Sequence, residues 1–394
     1  MIYLDHAATT PVDPEVADAM MPYLREEFGN PSGKYYCQAT HAKDAVEQAR
    51  EQVAALIGAS PEEIIFTAGA TESTNFIIKG FMDYEKYYGN GRNQVITSNA
   101  EHKATLHVCK YLNGELYSNH DPSTSLFAEK MVVDRGFSAV FLPVDQYAMI
   151  QPEQLESTFS EQTALASFLY VNNETGSIND VKKFGKICHE HDVKIHVDAT
   201  QAFGKLPIDV NDLGSDFLSF SAHKIYGPKG IGGAYLRSDG YGIPPITALL
   251  HGGEQEQGFR AGTLAVHNIV GFGKAAELAR KRMSEDQQHL AELDDYFVKG
   301  LQNLPELTLL NPTTSRMKGI FSILVNRDNF NNERFIRRIS DEAAISTGSA
   351  CSAGEPSHVI AAIGQAQNVH RILRVSLGRN TNKMDIDAFL KLLK

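Results

Sequence analysis

The chain is poor in cysteine, in positive charge and in long apolar runs, and each shortage removes a class of protein. Its 394 residues hold four cysteines (Cys37, Cys109, Cys188 and Cys351), far apart and without a C-x-x-C pair. That spacing suggests neither a disulfide framework nor a thiolate metal site. Lys plus Arg number 37 against 48 Asp plus Glu, a formal charge of −11. Non-specific binding to DNA or RNA needs a basic face instead. No stretch reaches the roughly 18 apolar residues of a membrane helix. The N-terminus, Met1-Ile-Tyr-Leu-Asp-His6, lacks the basic segment and apolar run of an export signal. The expectation is a cytoplasmic protein with no membrane contact and no direct nucleic-acid binding. What remains, 42% hydrophobic and 22% charged residues, is ample material for a globular core.

Short apolar segments alternate with helical patterns through the first two thirds of the chain. Ile64–Thr67, Gln94–Ser98, Leu165–Val171, Lys194–Asp198 and Phe217–Ser221 read as strands, most of them followed at once by polar residues. This order predicts an α/β domain with a mainly parallel sheet, and ligands of such sheets collect at the carboxyl ends of the strands. From about residue 263 the texture changes to a smaller α+β pattern. A long helical stretch from Ile269 to Leu301, broken near Met283, precedes a strand at 319–325, a helix at 331–339, a strand at 373–377 and a helix from Lys383. Residues 111–137 are the least patterned and read as a surface loop.

Several strand ends could carry chemistry. Lys224 sits in Ser219-Phe-Ser-Ala-His-Lys-Ile-Tyr-Gly-Pro-Lys-Gly230, after an apolar strand and before a Gly/Pro turn. A lysine in dry surroundings beside other cations can form a Schiff base, although most lysines are solvated loop residues. Asp198 closes its strand where a carboxylate could face a ligand, such as the pyridine nitrogen of pyridoxal phosphate. It could equally cap a helix. The turn Ala68-Gly-Ala-Thr71 offers backbone N–H groups at a helix start, a place for phosphate. It fits neither the dinucleotide nor the nucleotide-triphosphate loop pattern. Cys351 lies in a run of small residues, Ser346–Gly354, where a thiol is available as a nucleophile. Cys109 and Cys188 fall in helical patterns and read as packed. His189 and His191, two apart on a helix, point away from each other, so no metal site is expected there.

Together these segments resemble the cysteine desulfurases of the NifS/IscS type, fold-type I pyridoxal-phosphate enzymes of the class V aminotransferase family. The matching motifs run almost end to end: Tyr3-Leu-Asp-His-Ala-Ala-Thr-Thr-Pro11, Phe28-Gly-Asn-Pro31, Phe66-Thr-Ala-Gly-Ala-Thr-Glu-Ser73, Glu101-His-Lys103, Val171-Asn-Asn-Glu174, His196-Val-Asp-Ala-Thr-Gln201, Ser221-Ala-His-Lys224, Arg260-Ala-Gly-Thr263, Gly348-Ser-Ala-Cys351 and Arg374-Val-Ser-Leu-Gly378.

The resemblance implies a large domain over 12–262 with a seven-stranded, mainly parallel sheet. Residues 1–11 and 263–394 would form a smaller α+β domain carrying the cysteine loop. It implies pyridoxal 5′-phosphate held by Lys224, with Asp198 on the pyridine nitrogen, His102 stacked on the ring and Gln201 on the ring oxygen. Gly69, Ala70, Thr71, Ser221 and His223 would hold the phosphate, joined by Thr263 from the second subunit of a homodimer. Asn173 and Arg374 would bind L-cysteine, and Arg374 suits a carboxylate through its forked guanidinium. Cys351 would take the sulfur as a persulfide, releasing alanine, with His102 the candidate base. The sulfur would pass to an acceptor protein serving iron–sulfur assembly, tRNA thiolation or DNA phosphorothioation. A selenocysteine lyase or another lyase of the same fold is the alternative. Compared with the housekeeping members, the segment after Cys351 is about two residues shorter, residues 111–137 look inserted, and Glu254 and Gln257 replace a glycine and an arginine.

Overall fold

The computed structural model describes residues 1–115, 133–242, 246–313, 315–348 and 357–394. Among these described residues, twelve strands fall into three sheets. The large one is built from β2 (Ile64–Thr67), β3 (Gln94–Ser98), β4 (Ser138–Leu142), β5 (Thr163–Leu169), β6 (Lys194–Asp198), β7 (Phe217–Ser221) and β8 (Gly232–Leu236). Its order is β2-β8-β7-β6-β5-β3-β4. β8 alone is antiparallel to its neighbours, so the sheet is α/β and mainly parallel, as expected. Burial on both faces explains the largely apolar make-up of β5 and β7, every residue of which is buried.

β4 and β8 were not among the strands expected. β8 opens on Gly232-Gly233, poor strand formers. Tertiary contact requires them: a Cβ on Gly232 would lie 2.7 Å from the Cα of Gly69. The polypeptide of β8 thus presses directly on the turn that starts the next helix.

A second sheet, β9 (Leu307–Leu309), β10 (Ile320–Val325) and β12 (Ile372–Ser376), is antiparallel with β10 central. β1 (Ile2–Tyr3) pairs in parallel with β11 (Ala343–Ala344). One 37-residue helix, Val266–Gln302, bridges both parts. Its first half, including Phe272 and Ala276, belongs to the core of the large sheet. Its second half, including Leu293 and Phe297, packs with Phe321 and Phe389 in a separate core. The expected break near Met283 is not there. The apolar stripe changes partner at that point, and a helix can remain continuous while its buried face turns from one core to another.

The loop around Glu256 is tied down by a buried ion pair. Arg50 forks onto Glu256 through Nη1 (2.8 Å) and Nη2 (2.7 Å), and the same carboxylate accepts the Phe66 N–H of β2 at 2.6 Å. Glu256 takes a φ of +48°, unfavourable for a residue with a Cβ. Its contacts hold it there. Glu256→Ala takes the forked partner from a buried guanidinium that keeps Glu47 and the Ile64 carbonyl, and leaves the Phe66 N–H unpaired, and the expected loss of stability is about 3 kcal/mol. Thermal unfolding would register this as a clear drop in midpoint. A change no larger than that of removing the exposed Lys182–Asp212 pair would contradict it.

No helix among the described residues is long and apolar enough to cross a membrane.

Candidate active site

The carboxyl ends of β2, β3, β5, β6 and β7 bring the expected side chains together. Asp198, the last residue of β6, is 3% exposed. Its Oδ1 accepts the Thr200 N–H at 3.0 Å. One oxygen therefore does cap the following turn, the ordinary role an aspartate there could have. For Oδ2 no protein donor is found among the described residues. On the neighbouring strand, β7 runs into a single tight turn, Ala222–Lys224, which carries Ser221, His223 and Lys224 to the same edge. The Lys224 Nζ donates to the carbonyls of Ala7 and Ala8, each at 2.5 Å. His223 Nδ1 meets Thr9 Oγ1 at 3.1 Å. Burial, reinforced by Lys224 and Lys229, pushes His223 down to about 4.

His102 follows β3 as the N-cap of the Lys103–Leu112 helix. The Ala104 N–H donates to its Nδ1 at 3.1 Å. An amide N–H can only donate, so the neutral ring carries its proton on Nε2. Burial lowers the His102 pKa, Asp198 opposes that fall, and Lys224 and His358 add to it. The ring is neutral at physiological pH. The preceding Glu101 is 1% exposed, and burial pushes its carboxyl up to about 8 against the hydrogen bond from Ser98.

Gly69, Ala70 and Thr71 open the Ala70–Tyr87 helix after β2. Gly69 has a φ of +152°, which favours glycine, and no side chain caps the helix start. Its first N–H groups and its positive dipole end are open to an anion. Arg260 Nε donates to Glu72 Oε1 at 2.9 Å and fastens this helix start to the loop that ends at Thr263. Thr263 itself is exposed, and among the described residues no hydrogen bond joins it to the cluster.

Gln201 is 2% exposed; its Nε2 donates to the Ala7 carbonyl at 2.8 Å and its Oε1 accepts from Lys205 at 3.0 Å. Arg374, on β12 of the second sheet, reaches across to this edge. It donates from Nη1 to the Asn173 carbonyl (3.1 Å) and from Nη2 to Asp5 (2.9 Å), while its buried Nε has no partner among the described residues. That leaves donor capacity for a further acceptor.

Cys351 lies outside the described residues. The residues flanking segment 349–356 both meet Glu174, next to Asn173 in the chain. Ser357 Oγ donates to Glu174 Oε2 at 2.6 Å, and a Cβ on Gly348 would lie 2.6 Å from that same oxygen. Cys109 and Cys188 are buried, and burial pushes both thiols far up, which leaves them unreactive. Cys37 is exposed. His189 and His191 turn to different carboxylates, Asp216 and Glu156.

Residue typing alone missed three groups. The carbonyls of Ala7 and Ala8 leave no signature, because any residue supplies a carbonyl. Lys205 could have been found from its place four residues after Gln201. Glu174 has no sequence signature beyond its place after Asn173, since its partner Ser357 is distant in the chain.

An edge of parallel strands that gathers an amine, a buried carboxylate, a neutral imidazole and an open helix start is that of a fold-type I pyridoxal-phosphate enzyme. Residues 2–117 and 116–389 match the aminotransferase class-V family. The cysteine desulfurase IscS of Rickettsia typhi is 40% identical over 396 residues, covering 100% of this chain and 90% of that protein. Among solved structures, a NifS-like protein superposes with a TM-score of 0.85 at 34% identity, covering 99% of this chain and 97% of that one. SspA in complex with cysteine superposes with a TM-score of 0.80 at 34% identity, over 96% and 99% of the two chains. The chain belongs to the class-V aminotransferase family and, within it, to the cysteine desulfurases.

The donor set fits pyridoxal phosphate, the cofactor of that family. There is an amine at Lys224 and, among the described residues, a carboxylate oxygen at Asp198 without a protein donor and a helix start at Gly69–Thr71 without a side-chain cap.

Proposed function

We propose that the chain removes sulfur from L-cysteine, releases L-alanine and holds the sulfur as a persulfide on Cys351 for an acceptor protein. The observation that carries this is the meeting of Lys224 and Asp198 at adjacent strand ends, with His102 under the influence of both. The cofactor, when bound, withdraws electrons from the bond made to the substrate Cα. Lys224 holds it and moves the Cα proton at Nζ. Asp198 keeps the pyridine nitrogen protonated, which maintains that withdrawal. His102 would stack on the ring as the candidate base beside the sulfur transfer: the Cys351 thiol gives up its proton before it attacks sulfur, and the carbon takes up a proton after the C–S bond has broken. Ser221, His223, Gly69, Ala70 and Thr71 take the phosphate, and Gln201 takes the ring oxygen. Asn173 and the spare Nε–H of Arg374 orient the substrate carboxylate.

The bonds balance. The C–S bond of cysteine breaks and an S–S bond forms on Cys351. The hydrogens of the two thiols end on the persulfide and on the new methyl group of alanine. The contacts of both flanks of segment 349–356 with Glu174 support delivery of Cys351 to this edge.

Residues 12–262 serve as the cofactor-binding unit, and 1–11 with 263–394 as the smaller one. The main apolar cores of the two parts support that division; Ala7, the start of the long helix, Met317 and Ile320 join the larger one, and a smaller cluster that puts Ala100 and Ala148 beside Leu324 and Ile360 crosses the boundary. A cytoplasmic homodimer completes the reading. Phe28 at 74% and Tyr35 at 95% exposure, together with the outlying Thr263, suit a second subunit.

The test is alanine and sulfide release from L-cysteine. Cys351→Ala should retain the yellow cofactor and lose turnover by about 100-fold or more, the scale of removing a covalent catalyst. Undiminished turnover, or selenocysteine used while cysteine is not, would select the lyase alternative.

A further inference from the structure

We propose that Lys205 is a positioning residue that fixes which end of the Gln201 side chain faces the cofactor ring. This rests on the reading of Gln201 given above. Lys205 Nζ donates to Gln201 Oε1 at 3.0 Å, and among the described residues it has no other hydrogen bond and no carboxylate partner. Asp286, on the wall of the same small cavity, is committed to Arg379 by contacts of 2.7 and 3.0 Å. Burial pushes the Lys205 amine down to about 8, so the ammonium stands there against a desolvation cost.

The consequence follows from donor and acceptor chemistry. The two ends of a glutamine amide have nearly the same shape, and only their partners decide the orientation. Lys205 can only donate, so it requires Oε1. The Ala7 carbonyl can only accept, so it requires Nε2, and it receives that bond at 2.8 Å. Both partners impose one orientation, which leaves the second N–H of Nε2 for an oxygen on the ring side. Ala7 O also receives the Lys224 amine. Once Lys224 is committed to the cofactor that bond is lost, and Lys205 becomes the principal constraint on the oxygen end of Gln201.

Pyridoxal phosphate binding to the apo-protein tests this without reference to turnover, through the dissociation constant and the position of the visible band. Lys205→Met should weaken binding about 5- to 10-fold, the loss of one well-placed hydrogen bond, and shift the band. Lys205→Arg, which keeps a donor, should restore most of both. In a Gln201→Ala background, Lys205→Met should add nothing, because the two residues act as one unit. Equal weakening in both backgrounds would overturn the proposal, as would wild-type binding and spectrum in a folded Lys205→Met protein. A normal spectrum and affinity in Gln201→Ala would remove the reading of Gln201, and the proposal with it. Circular dichroism on each variant identifies a folding failure, in which case Lys205→Gln replaces methionine and must reproduce the loss.

Discussion

Lys224→Ala is expected to lose cysteine turnover by about 1,000-fold or more, because one substitution removes both the covalent attachment and the base. The geometry leaves no substitute. The other lysine near the edge, Lys205, is occupied by Gln201, and His102 holds its Nδ1 against a helix N–H. Borohydride treatment followed by peptide mass mapping should place the fixed cofactor on residue 224 of the wild type and nowhere in the variant. Stability should change little, since Lys224 lies in the single turn after β7 and donates to the backbone carbonyls of Ala7 and Ala8 at the edge of the fold. A variant with a tenth of normal turnover would sink the assignment.

The second large effect concerns acid. His196 lies in β6, two residues before Asp198, 0% exposed, with Nδ1 on Ser167 Oγ at 2.8 Å and Nε2 on Ser219 Oγ at 3.1 Å. Burial pushes it from 6.5 down to about 4, with Asp198 opposing. The folded state therefore binds fewer protons than the unfolded chain between those values. Stability from the neutral ring is complete above the unfolded pKa and is lost as pH falls toward the folded one. The interval is worth about 3 kcal/mol, with a limiting slope near 1.4 kcal/mol per pH unit for one proton. His6 and His223 are pushed down to about 4 as well, mainly by burial, and steepen the same acid branch. Urea midpoints in the wild type should fall between about pH 6.5 and 4.5, partly offset by Glu101, which takes up its proton in the folded state from about 8 downward. In His196→Gln the curve should flatten by close to one proton's worth. Parallel curves for the two proteins would show that the imidazole is not the titrating group.

Local residue order was enough to foresee most of the large sheet. β2, β3, β6 and β7 begin and end where the sequence places them, because a strand buried on both faces keeps an apolar centre and meets polar residues at its carboxyl end. β5 was read two residues late, since Tyr170 and Val171 continue its apolar run past the last ladder pair at Leu169. β8 escaped because its glycines answer to the approach of Gly69 and not to strand propensity. The long helix was read as broken for a related reason. Its periodicity serves two cores, and one window of sequence cannot show which core a face meets.

Among the chemical groups, Lys224 and Asp198 were candidates from residue type and place at a strand end, while His102 and Gln201 stood out only through the resemblance to the family's motifs. The tautomer of His102, the orientation of Gln201 and the clamp of Glu174 on both flanks of segment 349–356 were not legible. Each depends on a partner distant in the chain, or on a backbone atom whose identity carries no information.

By itself the sequence, through motifs that resemble a family, pointed to the class of chemistry: an amine, a carboxylate and an imidazole at strand ends, and a thiol in a run of small residues. Only the tertiary structure decided how those groups are charged and aimed. Burial moves the titrations of His102, His196, His223 and Lys205, and long-range partners choose donor from acceptor. Desolvation and hydrogen bonding are properties of the assembled surroundings, and no single stretch of chain contains them.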